Sequence, residues 1–154
     1  MITIPKSSTA DTRTCDFTQV TKDTLYKSSA QHIMDVQRAL AFFGYLLKDA
    51  SDRHDYDKLL DIDGFHADFL TGFKVTTWWD KHRQLNRHHL NMADGVPEDV
   101  NLIDVLDMIA DGVMAGSARS GVDKVYQPEL SDEVLRRAFV NTFALLKSQV
   151  AVVE

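Results

Sequence analysis

His54 and Asp55 stand side by side, and Lys58 follows one helical turn after His54. An imidazole next to a carboxylate offers a cation one neutral and one anionic ligand, a mixture that suits Mn, Fe, Ni, Co or Zn. Further on, His82, Asn86, His88 and His89 fall within eight positions. On a helix of 3.6 residues per turn, His82, Asn86 and His89 share a face, and His88 joins them only if the helix ends or bends there. Downstream, Asp104, Asp107 and Asp111 are spaced three and four apart and can point the same way. Three such carboxylates ordinarily form a solvated stripe, but burying them calls for a cation or hydrogen bonds, and the apolar Met108 adjoins that face. A His-and-Asp mixture of this kind points to one transition-metal ion, or to two ions bridged by a carboxylate. Arg83 and Arg87, four apart around Asn86, form a cationic ridge; beside a metal the three would serve as phosphate or substrate contacts. Lys58 would stabilise charge on a phosphate or pair with a nearby Asp. His66 stands alone and reads as structural.

The elements that must position these residues are helical. Residues 1–20 are rich in Ser, Thr and Asp and read as an extended arm, and residues 21–154 as a single helical domain. Thr21 or Asp23 is placed to cap a first long helix over about 24–50, which carries His32. Its apolar positions Ile33, Val36, Leu40, Phe43 and Leu47 predict a buried stripe. A polar joint over 50–55 leads to a short helix near 54–60, then a break at Asp61–Gly64. The next helix, about 65–92 with an interruption near Gly72, carries Phe65, Phe69, Phe73, Trp78 and Trp79, and the two tryptophans read as core. Asp94-Gly95-Val96-Pro97 is a turn. A helix over about 98–117 buries Leu102, Val105, Leu106, Ile109 and Val113. Gly116, Gly121 and Pro128 mark a loop, and Ser131 caps a last helix with Leu135, Phe139, Thr142, Phe143 and Leu146 as its apolar face. Strand signals are confined to Ile2–Ile4 and the Val-rich tail. The class is all-α, a compact bundle of five to six helices.

Composition narrows the function. The formal net charge of -6 argues against a general grip on nucleic acid, which needs clustered Lys and Arg, but leaves room for a small anionic substrate held through a metal. Cys15 is the only cysteine, so no intrachain disulfide forms, and a cytoplasmic setting fits. No activating base adjoins Cys15, so a nucleophilic role is not expected. No apolar leader and no run of ~18 apolar residues is present, so neither secretion nor membrane insertion is expected. A homo-oligomer is compatible with all of this.

The order His32, His54-Asp55, Asp111 resembles the HD (His-Asp) superfamily, whose helical domains bind divalent metal through a His, an adjacent His-Asp pair and a later Asp. His54-Asp55-Tyr56-Asp57-Lys58 resembles the His-Asp-x-x-Lys form of the cyclic-dinucleotide phosphodiesterase branch, as do Ile109-Ala110-Asp111 and Arg119. The chain departs from that branch: Leu90 stands where a Glu follows the His pair, and the Gly-Tyr-Pro signature is absent, so the likeness does not carry a cyclic-dinucleotide substrate. The combination of His-Asp-x-x-Lys, Trp-x-x-His-x-x-x-Asn-x-His-His and Asp-Met-x-x-Asp is similar to a small family common in tailed phages, over roughly residues 30–120. The resemblance implies His32, His54, Asp55 and Asp111 as metal ligands, with Asp107 in reserve for the final carboxylate and His82, His88 and His89 serving a second ion. It also implies a phosphohydrolase for a nucleotide or other small phosphoester, with metal-activated water as nucleophile. Asp55, Lys58 and Arg119 would be its catalytic groups, and the host cytoplasm its setting. Two other readings share these residues: an oxygen-activating di-iron enzyme like myo-inositol oxygenase, and a phage protein that binds a nucleotide signal or host protein around a structural metal.

Overall fold

A computed structural model describes residues 1–7, 17–75, 77–91, 96–125 and 127–154. Cys15, most of the expected arm, and Asp94 and Gly95 of the expected turn lie outside them. The described residues are all-α apart from one two-stranded parallel sheet. In order, the elements are β1 (Ile2–Pro5), α1 (Lys22–Arg53), α2 (Tyr56–Leu60), α3 (Ile62–Leu70), α4 (Trp78–Leu85), α5 (Leu102–Ser120), a 3-10 turn (Val122–Lys124), α6 (Asp132–Ser148) and β2 (Val150–Val153). No helix among the described residues is long and apolar enough to cross a membrane. The chain divides into two compact units, Met1–Tyr45 with Ala144–Glu154, and Leu46–Phe143.

In the first unit, the Ile2–Ile4 piece and the Val-rich tail pair with each other, Ile2 opposite Val150 and Pro5 opposite Val153. The Lys6–Glu154 ion pair closes the end of the ladder at 2.8 Å. Gln31 of α1 donates to the Pro5 carbonyl at 3.1 Å, and Ser28 is the buried residue of α1. Thr21, not Asp23, caps α1: its Oγ1 accepts from Thr24 N at 3.1 Å, satisfying an amide that has no partner within the helix. The expected stripe of α1 is not covered. Ile33, Val36, Leu40 and Leu47 are exposed, Leu40 by 62%.

In the second unit, Leu90, Val100, Val105, Met108 and Ala138 form the core, with Val96, Leu102, Leu130 and Val134 packed against it. Periodicity finds the helices here and part of the faces they bury: Val105 and Thr142 turn inward as expected, most of their companions do not. On α5 the buried side is Ile103, Asp104, Val105 and Met108, while Leu106, Ile109 and Val113 are exposed. On α6, Ala138 and Thr142 are buried and Leu135, Phe139 and Phe143 are exposed. Small residues turn inward on α6 because the contact is close: Thr142 Oγ1 accepts from Leu102 N at 2.8 Å and donates to the Ala138 carbonyl at 2.7 Å.

The expected helix over 65–92 is two helices. Asp61 starts α3 by accepting from Gly64 N, and a Cβ at Gly64 would lie 2.3 Å from the Asp61 carboxylate, so a larger residue there makes the capping side chain shift. Gly72 and Phe73 both adopt positive φ and end the helix. The wholly buried Asp68 then accepts from Trp79 N at 2.9 Å and sets the start of α4.

Candidate metal centre

Asp55 lies where α1 gives way to α2, with φ 54° and ψ 16°. That left-handed backbone is tolerated by Asp better than by most residues. It turns the carboxylate toward four imidazoles of the same unit. Its Oδ1 lies 3.3 Å from His82 Nε2 and 3.6 Å from His88 Nε2, and its Oδ2 lies 3.7 Å from His54 Nε2. His89 Nε2 is 3.0 Å from His82 Nε2. Two groups of three emerge, His54–Asp55–His88 and Asp55–His82–His89, each with its ligand atoms within 4.8 Å of one another, and Asp55 belongs to both. Ligands ~2.0–2.1 Å from one ion lie about 2.9–3.4 Å apart at tetrahedral to octahedral angles, which the His82 contacts already match. Asp55 Oδ1 and His88 Nε2 are buried without a hydrogen-bond partner, a costly state that a shared cation relieves. These groups can therefore hold a metal ion.

His54, His82 and His88 face inward because their other nitrogens are engaged. His54 Nδ1 bonds Asp107 Oδ1 at 2.8 Å, and His88 Nδ1 lies 3.5 Å from Asp107 Oδ2. His82 Nδ1 bonds Asp57 Oδ2 at 2.8 Å. Carboxylates in this position fix the tautomer that leaves Nε2 free for a metal. The rings of Trp78 and Trp79 stack on His82, with centroids 5.2 and 4.9 Å away, so the tryptophans wall the site. Both His88 and His89 reach it because α4 stops at Leu85 and Asn86 is extended, the condition under which His88 escapes its helical direction.

The other named residues sort by their contacts. Neither Asp107 nor Asp111 belongs to the two groups of ligands: Asp107 orients two histidines, and Asp111 Oδ1 lies 3.8 Å from His54 Nε2. Asn86 positions its neighbours: its Oδ1 accepts from Asp55 N, and its Nδ2 donates to Asp57 Oδ1 and the His82 carbonyl. Arg87 grips Asp104 through two nitrogens and Asp99 through another. Arg83 pairs with Asp80. Lys58 makes the local ion pair, with Asp55 Oδ2. His32 is carried by the part of α1 in the first unit and belongs to neither group. His66 is exposed. Arg119 lies with His88, His89 and Asp111 along a cleft of about 300 Å³, floored by Gly112, Ala115 and Gly116. A second cleft of about 270 Å³ reaches His54, Asp107 and Asp111 past Ser51. Asp57 was missed from sequence; its only signal was a second acid two positions after Asp55.

The charges are interlocked. Burial pushes the Asp55 carboxyl up, but Lys58, His54 and His82 together hold it below the ordinary value. Asp107 is held down against burial in the same way by His88 and His54. Burial disfavours the His88 cation, yet Asp107, Asp55 and Asp111 outweigh it and raise the group. For His89 the balance is reversed: burial, then His88 and His82, outweigh the pull of Asp55 and push it down to about 4.

No family model matches the chain, and no curated protein or solved structure does either.

Proposed function

We propose that this chain is a metal-dependent phosphohydrolase acting on a small phosphoester, a nucleotide being the favoured class. The observation that carries the reading is Asp55, one carboxylate common to two His-containing ligand groups, with an orphaned oxygen facing an orphaned imidazole nitrogen. His54, His88 and Asp55 would hold one divalent ion and Asp55, His82 and His89 another, with Asp111 beside the first. Ions there supply Lewis acidity for a phosphoryl oxygen and lower the pKa of water. The protein's own groups do the rest. Asp57 and Asp107 hold the imidazole tautomers, and Asn86 fixes the Asp55 backbone. Lys58 holds Asp55 Oδ2 and keeps its ammonium beside the centre, where it can meet an anion. Arg119 provides a second cation along the cleft that reaches His88 and His89. Two clefts lead to the ligand groups, which supports an open, catalytic site over a closed structural one.

The experiment is metal analysis of purified protein, then phosphate release from a panel of phosphorylated metabolites after loading with Mn, Fe, Co, Ni or Zn. Release that a chelator abolishes and Asp55→Asn lacks is the expected result. A metal-loaded protein that releases no phosphate but consumes oxygen with iron bound would replace the hydrolase reading with the oxidative one.

A further inference from the structure

The apolar residues of α1 do more than recur at helical spacing. Tyr26, Ile33, Val36, Leu40, Phe43 and Leu47 follow the alternating three-and-four step of a heptad, at a and d. Ser29 is the one polar member of that series. A strict 3-4 seam over three heptads marks the contact line between two helices wound together, narrower than the stripe of a helix lying on a mixed core. Most of the seam is bare: Tyr26 is 74% exposed, Ile33 55% and Leu40 62%, while Phe43 is half-buried. The hydrogen bond from Gln31 to the strand pair leaves from an f position, well round the helix from the seam.

We propose that α1 pairs through this seam with α1 of a second copy of the chain. Three observations favour that occupant. From Thr24 to Asp52 no Asp, Glu, Lys or Arg stands at a, d, e or g; Lys27, Asp35, Arg38, Lys48, Asp49 and Asp52 all fall at b, c or f. Two copies of a chain with net charge -6 therefore meet along a line that carries no charge to repel. The residues flanking the seam include Ala30, Ala39 and Gly44, and a Cβ built at Gly44 meets nothing within 4 Å, so a second helix has room to approach. The exposed seam side chains amount to roughly 600 Å² per copy, and with the flanks this nears the ~800 Å² per partner of a standard interface.

Sedimentation of the full chain tests this. The wild type is expected at twice 17.4 kDa at tens of micromolar, falling to 17.4 kDa on dilution. Leu40→Glu is expected to stay at 17.4 kDa. Gly44→Glu guards against simple misfolding, because glutamate favours a helix more than glycine does. It sets a carboxylate beside the seam and should raise the dimer Kd at least tenfold with helicity retained. Tyr45→Glu, at f, should leave the Kd unchanged. A wild type of 17.4 kDa throughout, or Gly44→Glu with the wild-type Kd, overturns the proposal.

Discussion

Replacing Asp107 with asparagine separates a residue that orients ligands from one that is a ligand. Asp107 bonds His54 Nδ1 at 2.8 Å with one oxygen and faces His88 Nδ1 at 3.5 Å with the other, and both rings then present Nε2 toward Asp55. An asparagine keeps one acceptor. Its amide group faces the other ring as a donor, so that ring must carry its proton on Nε2, the atom a metal needs. The carboxylate's charge, which makes both imidazoles better ligands, is also lost. Outer carboxylates of this kind are worth ~10–100-fold in metal affinity, or about 1.4–2.7 kcal/mol. Calorimetric titration of chelator-stripped protein with Zn or Mn is the assay. Asp107→Asn should lower affinity within that range and leave the stoichiometry as in the wild type, while Asp55→Asn loses tight binding altogether. Unchanged affinity in Asp107→Asn would refute the orienting role, and a loss as complete as that of Asp55→Asn would make Asp107 a ligand.

Lys58→Gln removes a cation next to the centre, so metal should bind about threefold to tenfold more tightly while phosphate release falls ~10²–10³-fold; weaker metal binding in the same titration would contradict the charge argument. Arg87→Met strands the nearly buried Asp104 carboxylate and should cost about 2 kcal/mol in urea unfolding with metal content unchanged. The pH dependence follows from His89, whose folded pKa of about 4 lies below its unfolded value. The unfolded chain takes up the proton first, so this group's stabilisation is complete above about pH 6.5 and is lost as pH falls toward 4, by at most roughly 2–3 kcal/mol. His88, raised in the fold, acts oppositely, its contribution fading as pH rises through its folded pKa. Urea midpoints in chelator between pH 4.5 and 7.5 should thus flatten on the acid side in His89→Gln, and an unaltered slope there would count against the His89 assignment.

The helices were legible because each carries its own periodicity and stop signals; α1, α5 and α6 needed nothing distant to declare themselves. The small sheet was legible for a similar reason, since Ile2–Ile4 and the Val-rich tail were the two segments with strand character. What periodicity does not contain is the identity of the partner. On α6, Thr142 faces in as its periodicity implies, but Phe139 and Phe143 fit the same pattern as well as Ala138 does, and only the close approach of Leu102 decides between them. The convergence of His54, His82, His88 and His89 on Asp55 was suggested by residue type. The division of labour was not, because Asp107 and Asp111 are the same amino acid one turn apart. The task of Asn86 is illegible for a comparable reason: an amide can serve a substrate or the chain, and the bonds described for it go to Asp55, Asp57 and His82.

The pairing of Ile2 with Val150 also bears on the order in which the chain folds. It closes a loop of almost the whole sequence, and bringing such distant ends together costs roughly 4–5 kcal/mol in chain entropy. A four-residue parallel pair, most of it open to water, returns little of that by itself. The strands therefore stay apart until the helices between them have shortened the distance, and they are the first contacts to open again. In hydrogen exchange the amides of β1 and β2 should be the least protected regular structure, released well before α5.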